Sequence, residues 1–206
     1  MAHIPEGILA TPVLLTGAVV SVTLLSIALR RLPPERVPQT AFLSAAFFVA
    51  SLISVPVGAS SVHLLLNGLM GMVLGWSAVP AIVVALLLQA LFFGFGGIVA
   101  LGVNAMNMAI PALLCAFLLR PALHRATPRS AFWLGMAAGA IGVAGTGLLL
   151  CLSIGLSGPE LLPAAKVIFV VFLPLLVVES VITGFALGFV DRVAPELLSL
   201  RQVRYD

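Results

Sequence analysis

The chain is written almost entirely as long apolar stretches separated by turn residues. A helix that crosses a bilayer needs about 20 mainly apolar residues. Seven candidates read off in order: residues 8–29, 38–55, 62–76, 79–95, 98–119, 131–153 and 162–190. The third is short and the last is long, which tilt and local bilayer thinning accommodate. The gaps hold Pro33-Pro34, Val57-Gly58, Ser77 to Pro80, Gly94 to Gly97, the segment from Pro121 to Pro128, and Ser157-Gly158-Pro159, residues that interrupt regular structure. Charged residues are 8% of the chain and its mean hydropathy is +1.25, whereas a soluble domain carries about 25% charged residues. A soluble globular fold is excluded. The expectation is an all-α polytopic membrane protein, a bundle of seven helices. It forms a single transmembrane domain over residues 1–206, with an amino-terminal segment 1–7, a bundle 8–190 and a tail 191–206.

The charges orient that bundle. Arg30, Arg31 and Arg36 follow the first span, Arg120, Arg125 and Arg129 follow the fifth, and Arg192, Arg201 and Arg204 follow the last. With seven crossings these nine fall on one side, and Lys166 alone lies opposite. The positive-inside rule then expects the carboxyl terminus in the cytoplasm and the amino terminus outside. No basic region precedes the first span, so it is not expected to be a cleaved signal peptide. Small residues recur at helical spacing in Ala41/Ala45, Ala46/Ala50, Gly68/Gly71/Gly75, Gly135/Gly139 and Gly184/Gly188. Such faces let helices approach closely in lipid. The face of Ala41, Ala45 and Ala50, with Ser44 beside it, is the candidate for contact with another subunit.

The polar residues are few enough to take one by one. His3 stands within three residues of the start of Met1-Ala2-His3-Ile4-Pro5-Glu6-Gly7. The free amine, the backbone nitrogen of His3 and its imidazole Nδ1 close fused chelate rings around one ion. All-nitrogen, near-planar ligation of that kind suits Ni²⁺ or Cu²⁺. If Met1 is removed, Ala2 supplies the amine; if it is kept, the Ala2 amide joins the chelate. Pro5 turns the tail away from helix. His63 is expected on the same external side, beginning the third helix, where its imidazole closes the fourth position. His124 lies among arginines and reads as a solvated loop residue. Asn67, four residues beyond His63 and thus on the same helical face, joins Asn104 and Asn107 as amides that must find partners in lipid and suit the support of a tail or loop. Gln89 is similar. Glu179, deep in the last span, is an ionisable group that lipid makes costly. Met70, Met72, Met106 and Met108 read as core filling, and Cys115 and Cys151 as small core residues.

What is missing also counts. There is no G-x-x-x-x-G-K-[ST] phosphate loop, no H-E-x-x-H and no Ser-His-Asp constellation, so the chain is not expected to be an enzyme. Uphill transport would draw its energy from another subunit. The net charge of +3 gives no reason to expect a nucleic-acid partner.

Three blocks carry a resemblance: His3-Ile4-Pro5-Glu6-Gly7, Ser61-Val62-His63-Leu64-Leu65-Leu66-Asn67-Gly68, and Gly96-Gly97-Ile98-Val99-Ala100-Leu101-Gly102-Val103-Asn104. With the Arg192-Val193-Ala194-Pro195-Glu196-Leu197-Leu198 tail, they resemble the CbiM/NikM family over essentially the whole chain. These are the substrate-specific components of cobalt and nickel energy-coupling-factor transporters of prokaryotic inner membranes. The resemblance implies that the amino terminus, His3 and His63 hold Ni²⁺ or Co²⁺ as transported substrate, with no resident cofactor. The metal ligands expected are therefore Met1 or Ala2, His3 and His63. It also implies a transmembrane coupling (T) subunit, a pair of ATP-binding cassette ATPases and a small accessory membrane protein of the NikN/CbiN or NikL type. Family members often have histidine where Phe95 and Phe172 stand here, which favours a compact four-nitrogen site. The rival readings are a vitamin-binding component of the same transporter type and an intramembrane metal or redox enzyme.

Overall fold

The computed structural model describes residues 4–52, 54–57, 60–123 and 127–198. Among the described residues, eight α-helices and one small hairpin make up the fold: α1 (Thr11–Arg30), α2 (Val37–Ala50), β1 (Ser54–Val57), β2 (Ser60–His63), α3 (Asn67–Leu74), α4 (Ala78–Phe93), α5 (Leu101–Leu118), the four-residue α6 (Arg120–Leu123), α7 (Pro128–Gly155) and α8 (Leu162–Val193). The chain is therefore all-α in class. Four helices open on a proline in the first turn, where the missing N–H leaves nothing unpaired. A capping box of Thr127 and Ser130 starts α7. Among the described residues, five stretches are long and apolar enough to cross a membrane, one of them running through α3 and α4 as Asn67–Phe93. At 14 and 8 residues, α2 and α3 fall short of that length alone.

Close packing of small residues holds the bundle together. A Cβ on Gly71 would sit 2.0 Å from the Ala112 carbonyl oxygen of α5, and one on Gly68 2.2 Å from that of Ala138 in α7. Gly139 lies against Ser180, and Gly135 against Thr183 and Gly184, so α7 and α8 run together along a glycine seam. α1 docks on α5 through Gly17 against Val103, with the Ser21 hydroxyl donating to the Gly102 carbonyl at 2.5 Å. Its other faces stay open, with Leu15, Val19 and Val22 all exposed as suits a lipid-facing helix. α3 is the reverse, buried along nearly its whole length at the centre of the fold.

Two boundaries differ from expectation, for one reason. The second helix stops at Ala50 instead of residue 55, and the third begins at Asn67 instead of residue 62. Between them β1 and β2 pair antiparallel, Ser54 opposite His63 and Val57 opposite Ser60. Pro56 biases Val55 away from helix, and β-branched valines favour the extended form. His63 therefore ends a strand and does not begin a helix, so it and Asn67 do not share a helical face.

Candidate metal-capture site

Ile4 is the first described residue, and it is almost completely buried. Its backbone is clamped at two points by one side chain: the Ile4 N–H donates to Asn104 Oδ1 at 3.0 Å, and Asn104 Nδ2 donates to the Ile4 carbonyl at 3.2 Å. An amide used this way mimics a neighbouring strand and satisfies both polar groups of a buried residue. Two residues on, the Glu6 carboxylate accepts from the Val99 N–H at 2.9 Å. Gly97, at φ +71, lies beneath it, and any Cβ there would come within 2.3 Å of Glu6 Oε1. The first and third sequence blocks are thus physically joined. Met1, Ala2 and His3 lie outside the described residues, as does His124.

His63 is 5% exposed. Its Nδ1 lies 3.0 Å from the Leu64 carbonyl oxygen; a carbonyl only accepts, so Nδ1 carries the proton and the lone pair resides on Nε2. Fixing one ring nitrogen orients the other. Burial lowers the imidazole pKa below its ordinary value, which keeps the ring neutral, the form that coordinates cations.

The segment after His63 is held by Glu179. Its carboxylate, fully buried in α8, accepts from the Leu65 N–H at 3.0 Å and from the Leu66 N–H. Leu66 adopts φ 46, the only non-glycine with positive φ among the described residues. That conformation costs an L residue about 1–3 kcal/mol and persists only where the surroundings impose it. Glu179 thus pins the turn that connects the His63 strand to α3.

Asn67 Nδ2 donates to Thr146 Oγ1 at 2.8 Å and lies 3.3 Å from the Met108 and 3.4 Å from the Gly142 carbonyl oxygens. The side chain ties α3 to α5 and α7. Asn107 accepts from the Ser153 hydroxyl at 3.3 Å, and its Nδ2 has no partner among the described residues. Gln89 donates to Ser51 Oγ at 2.8 Å. Met70, Met72 and Met108 are core residues, Met106 packs against the core, and the thiols of Cys115 and Cys151 meet helix carbonyls.

One relation brings the parts together. Asn104 holds the tail, and Met108, four residues later on α5, receives Asn67. The anchorage of the tail and that of the His63–Asn67 segment are therefore about 6 Å apart along one helix.

The family profile of the CbiM cobalt uptake substrate-specific transmembrane region matches residues 3–197. This chain belongs to that family. A putative metal transport protein of Haemophilus influenzae is 42% identical over 96% of this chain and 97% of its own. The cobalt transport protein CbiM of Sorangium cellulosum is 32% identical over 98% of this chain and 96% of its own. A fused nickel transport protein NikMN of Rhodobacter capsulatus is 38% identical over 52% of this chain and 33% of its own. Among solved structures, a transition metal transporter matches with TM-score 0.78 at 27% identity, over 93% of each chain. The protein is a multi-pass membrane protein of the cobalt and nickel transport family.

Glu6 escaped the sequence reading as a functional residue, although it sits inside the first block, facing the glycines of the third. Nothing in the sequence pairs Glu6 with Gly96-Gly97, 90 residues away; only the fold brings them together. Phe172 is buried beside Gly147, and Phe95 packs on the Phe93 ring at 5.6 Å, so both positions serve apolar packing here.

Proposed function

We propose that this chain is the substrate-capturing subunit of an ATP-driven importer of Ni²⁺ or Co²⁺, with the ion as cargo. The observation that carries the reading is the Asn104 clamp on Ile4, set one turn from the anchorage of the His63 segment. It supports a chelate made by the amino terminus, the tail's backbone nitrogens, the His3 imidazole and Nε2 of His63. A tail held by its backbone spends its ordering entropy before the ion arrives, the condition for tight binding. The nickel and cobalt named for the relatives support the choice of ion. Residues 1–7 act as the metal-binding segment of one transmembrane unit, and the tail from residue 191 is cytoplasmic.

Energy comes from partners: a transmembrane coupling subunit, two ATPases and a small accessory membrane protein, for which the fused NikMN relatives give support. The amino terminus faces outward, where the ion is met.

Calorimetric titration of the full chain with a native amino terminus and a carboxyl-terminal tag tests this. Sub-micromolar Ni²⁺ or Co²⁺ binding is expected, abolished by His3→Ala, weakened by His63→Ala, and lost when a tag is fused before Met1. Affinity unchanged by the amino-terminal tag would overturn the chelate.

A further inference from the structure

At the end of the bundle remote from the amino-terminal tail, the segment after α1, the break between α3 and α4, and the start of α6 line an open cleft of ≈ 240 Å³. Arg31, Arg36 and Arg120 line it together with Trp76 and Ser77, and no carboxylate among the described residues is part of the wall. Guanidiniums from two distant parts of the sequence, the segment of Arg31 and Arg36 and the start of α6, line the same space, and the charge of Arg36 acts against that of Arg120.

Arg120 is the most telling of the three. It is 6% exposed, its Nη2 donates to the Val73 carbonyl at 3.1 Å, and its buried Nε has no partner among the described residues. Gly75, at φ +60, makes room for it, since a Cβ there would lie 2.3 Å from Nη1. Arg31 is held over the Trp76 ring, 4.5 Å from its centroid, and Trp76 in turn meets Phe117 edge-on. Burial and then the charge of Arg36 lower the Arg120 pKa to about 10, so its guanidinium remains cationic at neutral pH. A buried cation with an unpartnered donor requires a counter-charge, and guanidiniums match phosphate oxygens by their forked geometry.

We propose that Arg120, Arg36 and Arg31 form a binding site for a phosphate group. A basic pocket between helix ends, edged by an indole, suits the headgroup of an anionic phospholipid; free inorganic phosphate shares the same chemistry. An occupied site would fasten α1, α3 and α6 at that end of the fold.

The test is native mass spectrometry of the purified full chain, released from detergent with phosphatidylglycerol or with phosphatidylcholine. Wild type is expected to retain at least tenfold more phosphatidylglycerol. Arg120→Gln and Arg36→Gln should each lose that preference, while Arg129→Gln with Arg192→Gln removes charge elsewhere and should keep it. Circular dichroism identifies a variant that fails to fold, and Arg36→Gln, on a less buried residue, then decides. If millimolar inorganic phosphate displaces the lipid from wild type, free phosphate is the source; if it does not, the headgroup is. Equal retention of both lipids with no thermal stabilisation by phosphate, or a preference unaffected by Arg120→Gln and Arg36→Gln in folded protein, overturns the site.

Discussion

Two side chains far apart in sequence, Asn104 and Glu179, each satisfy a pair of backbone groups beside the candidate site. Neither needs to touch an ion to govern its binding. Removing the Asn104 amide frees the tail and leaves Ile4 with two buried unpaired groups, each costing about 1–3 kcal/mol. Asn104→Ala is expected to weaken Ni²⁺ or Co²⁺ binding by roughly 10- to 100-fold, the range for supports of metal ligands, while the helical circular dichroism stays intact. Wild-type affinity in this variant would detach the clamp from capture. Glu179→Gln places an NH₂ group against one of two amides that each need an acceptor. A loss of about 1–3 kcal/mol follows, readable as a lower melting temperature of the detergent-solubilised protein.

At the scale of elements, most small-residue faces turn inward. Gly68, Gly71, Gly135 and Gly139 all abut neighbouring helices of the same chain. α2 is different, because Ala41 and Ala45 are exposed and Ala50 is half-buried. Ser44 does not belong to that outer face, since its hydroxyl donates to the Ala81 carbonyl at 2.8 Å inside the bundle. A 14-residue helix with an open alanine face and Phe42 and Val49 exposed beside it suits contact with the proposed coupling subunit. Ala45→Trp should therefore bind metal like wild type yet fail to co-purify with the coupling subunit. Co-purification and uptake at normal levels would place that contact on another helix.

Across the whole molecule, the ends of the bundle are chemically unequal. Arg31, Arg36 and Arg120 gather at one end, and Gln39 near the start of α2 reaches the Leu197 carbonyl at 3.5 Å. Arg129 and Arg192 share a second cavity between the start of α7 and the end of α8. The loops after α1 and α5 and the chain beyond α8 thus meet the same end, the arrangement that the positive-inside rule assigns to the cytoplasm. In a background without Cys115 and Cys151, Glu35→Cys is expected to react with a membrane-impermeant maleimide only in inverted vesicles. Glu160→Cys should react only in intact spheroplasts. The reverse pattern would invert the topology.

Hydropathy alone carried the helices, because a lipid solvent tolerates few backbone solutions and long apolar runs announce them. The ranges 8–29, 79–95, 98–119, 131–153 and 162–190 come within a few residues of α1, α4, α5, α7 and α8. Family membership was legible for a related reason: each of its blocks sets histidine, glutamate, asparagine or paired glycine into an otherwise monotonous apolar sequence. The hairpin was not legible, since a valine-rich segment of ten residues reads equally as helix or strand until pairing decides it. The role of each polar side chain also waited for the fold. Asn67 was expected beside His63 and instead joins α3 to α5 and α7, whereas Glu179 holds the segment that follows His63 from more than a hundred residues away. Composition determines that a buried amide or carboxylate must find a partner. Only the packing of distant helices decides which partner it finds.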